Sequence, residues 1–187
     1  APPTRESLGS GAVTWAALSL ADTADTFVAL TLAGEKATGS RDPFGLRRQM
    51  QGAVRILMDL PELTGIDREV SLENVLAQAA AGVPAHSWDE ARAGADAFVR
   101  ERVRYALEQR GFTIEIARAA TSAGDVRPLR ARRIAGAIRA LRASEDFQAL
   151  AVLFKRLKNI AKELKEDLPL DRAALTEPAE TALLAEL

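Results

Sequence analysis

Residues 87–107 read SWDEARAGADAFVRERVRYAL, and their spacing decides the fold class. Ala91, Ala95, Phe98, Val99, Val103, Ala106 and Leu107 recur every three or four residues, which lines one side of a helix and leaves Arg and Glu on the other. Ser87 and Glu90 stand at capping-box spacing ahead of this seam and Gly111 follows it as a stop, so the pattern predicts one long helix to about Arg110. Upstream, Val13, Ala16, Ala17, Leu20, Ala21, Ala24, Phe27 and Val28 repeat the same period and predict a helix over about 11–32. Asp42-Pro43 supplies an N-cap acceptor followed by proline at a first helical position, predicting a helix from residue 43 with Leu46, Met50, Ala53, Val54, Leu57 and Leu60 inward, ending before Pro61. Leu63 to Asp67 reads as a turn, and Ser71 caps a short helix to about Ala81.

Downstream of the long helix, Ile114 to Ala120 forms a short helix, and Asp125 is placed to cap one carrying Leu129, Ile134, Ala137, Ile138 and Leu141 inward. Ser144-Glu145-Asp146 opens another, with acidic side chains at its positive end and Phe147, Leu150, Ala151, Phe154, Leu157, Ala161 and Leu164 as its core stripe. Lys155, Lys158, Lys162 and Lys165 are expected on the opposite side, with Asn159 beside them. The acidic Ala/Leu-rich stretch from Asp171 to Leu187 has the composition of a final helix. Aromatic residues are only 5% of the 187, which disfavours sheet, so the fold class is all-α. Gly82 and Pro84 interrupt the pattern and mark a candidate division into two consecutive helical bundles, 1–85 and 86–187.

The absence of cysteine excludes disulfides, thiolate metal sites and a cysteine nucleophile. With one histidine, His86, in a turn-like stretch, multi-histidine metal centres are excluded and the residue reads as a solvated loop histidine. We assign no catalytic and no metal-binding residue. The chain starts Ala1-Pro2-Pro3 with no targeting pattern, and no apolar run has the length of a membrane span, so a cytoplasmic piece of a longer chain is expected.

The net charge of −1 conceals opposed blocks. Residues 1–85 carry seven basic and ten acidic side chains, residues 92–165 carry 17 and eight, and the tail beyond Lys165 carries one and six. The basic middle suits a polyanion. A solvated helix face is the alternative, but such a face usually alternates charge signs, whereas the lysine row has little acid between its members. Arg100 and Arg104 form a similar pair, offset by Glu101 and Glu108. The loop Gly39-Ser40-Arg41-Asp42 ahead of Arg48 resembles a phosphate-receiving helix start, but Asp42 competes for the amides and no Gly-Lys-Ser/Thr follows, so no ATP site is assigned.

Leu20-Ala21-Asp22-Thr23-Ala24-Asp25-Thr26, Gly34, and then Thr38-Gly39-Ser40-Arg41-Asp42-Pro43-Phe44-Gly45-Leu46-Arg47-Arg48 resemble the signature of the β subunit of bacterial heterotetrameric glycyl-tRNA synthetase. Phe98-Val99-Arg100-Glu101-Arg102-Val103 with Gly111-Phe112, then Lys155-Arg156-Leu157-Lys158-Asn159-Ile160, resemble its C-terminal anticodon-binding domain, and Glu177-Pro178-Ala179-Glu180 with Leu183 and Leu184 is similar to the end of that subunit. The resemblance implies that residues 1–85 are the end of an HD-type helical domain and a linker. It implies that residues 86–187 are a helical anticodon-binding domain like that of arginyl-tRNA synthetase. Asp22 stands at the position of the HD fold's last metal-binding aspartate, but the upstream His-Asp pair is missing, so Asp22 and Asp25 are expected to cap or pair structurally rather than to serve a residual hydrolase. The implied activity is glycine–tRNA ligase, an aminoacyl-tRNA synthetase of protein biosynthesis. ATP and Mg²⁺ would be used by the whole enzyme and no cofactor held by this segment. The implied partners are tRNA(Gly) and the α subunit in an α2β2 assembly, with no membrane. The expected tRNA contacts are Lys155, Arg156, Lys158, Asn159 and Lys162, then Arg100, Arg104 and Arg48. A helical protein–protein scaffold without RNA binding is the alternative function.

Overall fold

The computed structural model describes residues 3–35, 42–163 and 175–186, and among them every regular element is helical. The chain divides into two compact units, residues 1–143 and 144–187. The first holds α1 (Arg5–Leu8), α2 (Ala12–Leu32), α3 (Leu46–Met58), α4 (Leu60–Thr64), α5 (Leu72–Ala79), α6 (Ala85–Glu108), α7 (Ile114–Ala120) and α8 (Pro128–Leu141). The second holds α9 (Glu145–Ile160), a 3₁₀ turn (Ala161–Glu163) and α10 (Pro178–Glu186).

In the first unit α3 is the central helix, packed by α2, α6 and α8. Its Met50, Val54, Leu57 and Met58 meet an α6 seam whose Val99, Val103, Ala106 and Leu107 are equally inaccessible. Each large side chain in this seam contributes roughly 1.5–3 kcal/mol by leaving water, which outweighs the modest helix propensity of its β-branched members. Phe27 of α2 and Phe98 of α6 stack at a ring-centroid distance of 5.4 Å. The expected division at 85/86 falls inside this unit, where α5 and α6 are joined by residues 80–84 and both contribute to one core.

Most helix positions match the spacing, and the differences lie at the ends. The helix expected from residue 43 starts at Leu46, because Gly45 adopts the left-handed conformation (φ 67°) and turns the chain back. Asp42 still serves the helix start: its carboxylate accepts from the Leu46 amide at 2.7 Å and the Arg47 amide at 3.1 Å. Replacing Gly45 by alanine forces a Cβ into that conformation, 3.3 Å from Nη2 of Arg48. The expected result is a loss of about 1–2 kcal/mol in urea unfolding; an unchanged midpoint would show that the turn does not need glycine.

The same helix breaks at Asp59, and α4 occupies part of what the sequence reads as a turn, with Pro61 near its start and left-handed Gly65 (φ 80°) ending it. α6 begins at Ala85, so Ser87 and Glu90 lie within the helix and no side chain caps it. His86 accordingly sits in the first turn of a helix rather than in a loop. Asp125 does not cap α8, which Pro128 starts three residues later; Asp125 accepts instead from Nε of Arg127 at 3.0 Å. In α8, Leu129, Ala131 and Ala135 are buried, Ile134 and Ile138 partly so, and Leu141 points outward. The caps at Ser71, Thr113 and Ser144 form, each side-chain oxygen accepting the amide three residues on.

The largest departure is α9, in which no residue is buried. Leu150, Leu153, Phe154, Leu157 and Ile160 are 52–75% exposed, so the expected core stripe is uncovered. Leu164 and Lys165 lie outside the described residues, as do Gly39, Ser40 and Arg41.

Candidate nucleic-acid interface

α9 owes its start to Ser144, whose hydroxyl oxygen accepts from the Phe147 amide at 3.2 Å, and to Glu145 and Asp146 in its first turn. From Phe147 to Lys162 it carries Lys155, Arg156, Lys158 and Lys162 and no acidic side chain. All four cations and Asn159 are exposed, and none of their side chains makes a hydrogen bond or ion pair among the described residues. Lys158, Asn159 and Lys162 line one open recess at the end of the helix. Three flexible ammonium or amide donors around a concavity suit phosphate oxygens, with the neutral amide free for a base edge.

The row lies mostly opposite the apolar stripe, with Lys158 nearer to it. Written as a heptad, Phe147 and Phe154 take position a, Leu150 and Leu157 take d, and Leu153 and Ile160 take g. Lys158 then takes e, directly beside the seam, while Lys155, Asn159 and Arg156 follow at b, f and c, with Lys162 continuing the b row in the 3₁₀ turn. Lys158 and Arg156 therefore flank the seam on its two sides, while Lys155, Asn159 and Lys162 lie across the helix from it.

Arg100 and Arg104 are placed differently. Arg100 donates to the carbonyl oxygens of Thr121 and Gly124 and to Oε1 of Glu73 at 3.4 Å, tying α6 to α5 and to the loop after α7. Arg104 donates from Nε to Oγ1 of Thr121 at 2.9 Å, and that hydroxyl donates on to the Ala117 carbonyl. Both guanidinium groups thus serve first as internal ties. Arg48 is exposed and folds over Gly45 at the start of α3. The structure gathers the α9 residues with one another, and Arg100 with Arg104, while Arg48 stands on a separate helix.

Ion pairs that the sequence did not single out organise the rest of the first unit. Asp59, at the α3–α4 break, accepts from Arg110 at 2.5 Å and Arg132 at 2.8 Å and lies 4.0 Å from Arg55. Arg132 reaches on to Glu62, and Arg133 to Asp67 and Glu69. A helix break ahead of proline was the available signal for Asp59; its partners, 51 and 73 positions away, left none. Arg130 is an exposed cation without a hydrogen bond or ion pair among the described residues, and Arg118, also exposed, acts on Glu115 one turn away. Burial holds the Glu73 carboxyl above the usual range and Asp96 adds to this, against the Val126 amide and Arg100. The Arg127 hydrogen bond keeps Asp125 below it.

Asp22 and Asp25 are both exposed, and neither caps nor pairs with another described residue. Among the described residues no three His, Asp or Glu side chains gather as a metal set, and no helix is long and apolar enough to cross a membrane.

The family profile described as glycyl-tRNA synthetase beta subunit matches residues 5–122. The chain belongs to this family. A glycine–tRNA ligase beta subunit from Acidobacterium capsulatum is 36% identical over 174 residues, covering 90% of this chain and 23% of that protein. Those of Acinetobacter baumannii and Anaeromyxobacter dehalogenans are 34% and 35% identical over 173 and 179 residues, covering 91% and 92% of this chain and 24% of each relative. The chain thus spans about a quarter of the length of the curated relatives it matches. It is a region of a glycyl-tRNA synthetase β subunit, and the α9 cations lie beyond the span that the family profile matches.

Proposed function

We propose that this region of the β subunit grips tRNA(Gly) and positions it for ATP-dependent glycylation carried out by the α subunit. The observation that carries the reading is the exposed, unpaired cationic row of α9, with Lys158, Asn159 and Lys162 around one recess. Lys155, Arg156, Lys158 and Lys162 hold phosphates, and Asn159 addresses an unstacked base. Arg48 is a separate phosphate contact at the start of α3, and Arg100 and Arg104 act as ties within the first unit. Residues 86–187 act as the anticodon-binding part and residues 1–85 as the end of an HD-type domain that performs no hydrolysis. The segment is non-catalytic by itself; ATP and Mg²⁺ act at the α subunit of a cytoplasmic heterotetramer of two α and two β subunits.

Fluorescence anisotropy of labelled tRNA(Gly) with the intact enzyme tests this. With Lys155→Glu and Lys158→Glu together, affinity should fall and the slope of log K against log salt should flatten by about two, one per lost phosphate contact. Unchanged affinity and slope, or equal binding of any RNA before and after the replacement, would remove α9 from the tRNA interface.

A further inference from the structure

The turn between α7 and α8 shelters a small cavity that none of the contacts above uses. It measures about 60 Å³ and is lined by Arg100 of α6, Thr121, Asp125 and Arg127 of the turn, and Arg130 and Ile134 of α8. A single water needs roughly 10–15 Å³ of such space, so there is room for a four-oxygen anion with part of its hydration. No aromatic side chain lines it for a base to stack on. Its charge is lopsided: three guanidinium groups stand against one carboxylate, and Arg127 already holds that carboxylate, Asp125, through Nε at 3.0 and 3.2 Å.

The three arginines differ in what they have left to give. Arg100 is fixed by the carbonyls of Thr121 and Gly124 and by Glu73, so its charge is a rigid part of the wall. Arg127 donates from Nε to Asp125 and from Nη1 to the Glu69 carbonyl at 3.2 Å, and its Nη2 has no partner among the described residues. Arg130 has all its donors free. Five arginines and one acid lie between Ala119 and Leu141; Arg132 and Arg133 pair with carboxylates and Arg139 lies over the Phe112 ring, so burial and pairing consume every neighbour but Arg130. No side chain caps α8 and its first turn holds no acid, which adds the positive end of the helix to the same field.

We propose that this cavity binds one phosphate group of an RNA chain, with Arg130 as the closing donor and Arg100 and Arg127 as its fixed positive wall. The donors come from α6, the turn and α8, so they surround a tetrahedral anion instead of matching the single plane of a carboxylate. The RNA source rests on the tRNA reading given above, whereas the phosphate chemistry rests on the cavity alone. A small phosphorylated compound would use the same donors, and separate arms of the test distinguish the two.

Amide NMR of the 187-residue chain, titrated with inorganic phosphate against chloride at equal ionic strength, tests the site. The expected result is saturable shifts of the amides of residues 119–131 and of the Arg130 Nε signal, with affinity about fivefold or more weaker in Arg130→Gln. Arg130 is exposed and unpaired, so that variant keeps the fold. Arg118→Gln removes an exposed charge of α7 that does not line the cavity and should change the affinity by less than about twofold. No saturable shift, an unaltered affinity in Arg130→Gln, or an equal loss in Arg118→Gln would each overturn the site. In the intact enzyme, Arg130→Gln should weaken tRNA(Gly) binding about three- to tenfold and flatten the slope of log K against log salt by about one. A phosphate response that needs Arg130, with tRNA binding unchanged, would overturn RNA as the source. If Lys155→Glu with Lys158→Glu leaves tRNA affinity intact while Arg130→Gln lowers it, the α9 reading falls and the cavity stands; the reverse pattern strikes the cavity alone.

Discussion

Replacing Leu107 by alanine is expected to lower the unfolding free energy of residues 1–143 by about 2–5 kcal/mol, the cost of a lost side chain plus the cavity it leaves. Leu107 is fully inaccessible, lies in the α6 seam, and belongs to the same core as Met50, Val54 and Leu57 of α3. Because α6 follows Pro84 while α3 precedes it, the substitution also tests whether the expected 85/86 division is one of packing. A shared core predicts one transition, moved as a whole. The two tryptophans make this readable, since Trp15 lies on α2 and buried Trp88 on α6. In Trp15→Phe and Trp88→Phe backgrounds, the fluorescence midpoints should coincide with each other and move together when Leu107 is truncated. A shift confined to the Trp88 signal would mean that the two halves unfold separately; a loss below about 1 kcal/mol would place Leu107 outside a close-packed core.

The second large effect is expected at Asp59. Its carboxylate faces Arg110, Arg132 and, more distantly, Arg55, and it is one-fifth exposed. Asp59→Ala leaves three guanidinium groups without their shared acceptor, two of them about three-quarters covered. A fully buried pair broken in this way costs about 3–5 kcal/mol, and the partial exposure here lowers the expectation to about 1–3 kcal/mol. Asp59→Asn keeps the shape and one acceptor and should lose less. A double-mutant cycle with Arg132→Met isolates the pair: a coupling energy near zero would make Asp59 a surface carboxylate rather than the tie between the α3–α4 break and α8.

Those two residues show how differently the sequence reveals its parts. Leu107 was legible because burial along a helix repeats every three or four residues, a local pattern that any stretch of the sequence displays. The same logic placed α2, α5 and α7 to within a few residues and found the caps at Ser71 and Ser144. It failed where a local signal had a competitor. Asp42 and Asp125 both have the right side chain for an N-cap, but Gly45 and Pro128 set where their helices start. Ser87 and Glu90 satisfy the capping-box spacing, yet the helix runs through them because Pro84 already fixes an earlier entry.

Asp59 was illegible for another reason. Its partners sit 51 and 73 positions along the chain, and no pattern in either neighbourhood refers to the other. Arg100 and Arg104 carry the same lesson with consequences for function. On the sequence they match the lysine row as candidate phosphate ligands, whereas their partners Thr121, Gly124 and Glu73 make them ties within the first unit.

The sequence by itself determined the helical class, the membership of most seams, the opposed charge blocks and the likeness to the glycyl-tRNA synthetase β subunit, all of which are written in residue types and short spacings. Tertiary structure alone decided that residues 1–143 form one core, that two of the expected arginines bond inward, and that α9 keeps both its cations and its apolar seam exposed. The physical reason is the range of the interactions: periodicity and capping act over one or two turns, while burial and ion pairing depend on which distant segment arrives. On α9 an apolar stripe states that a helix is to be covered, and only the fold can say whether the covering segment lies within these residues.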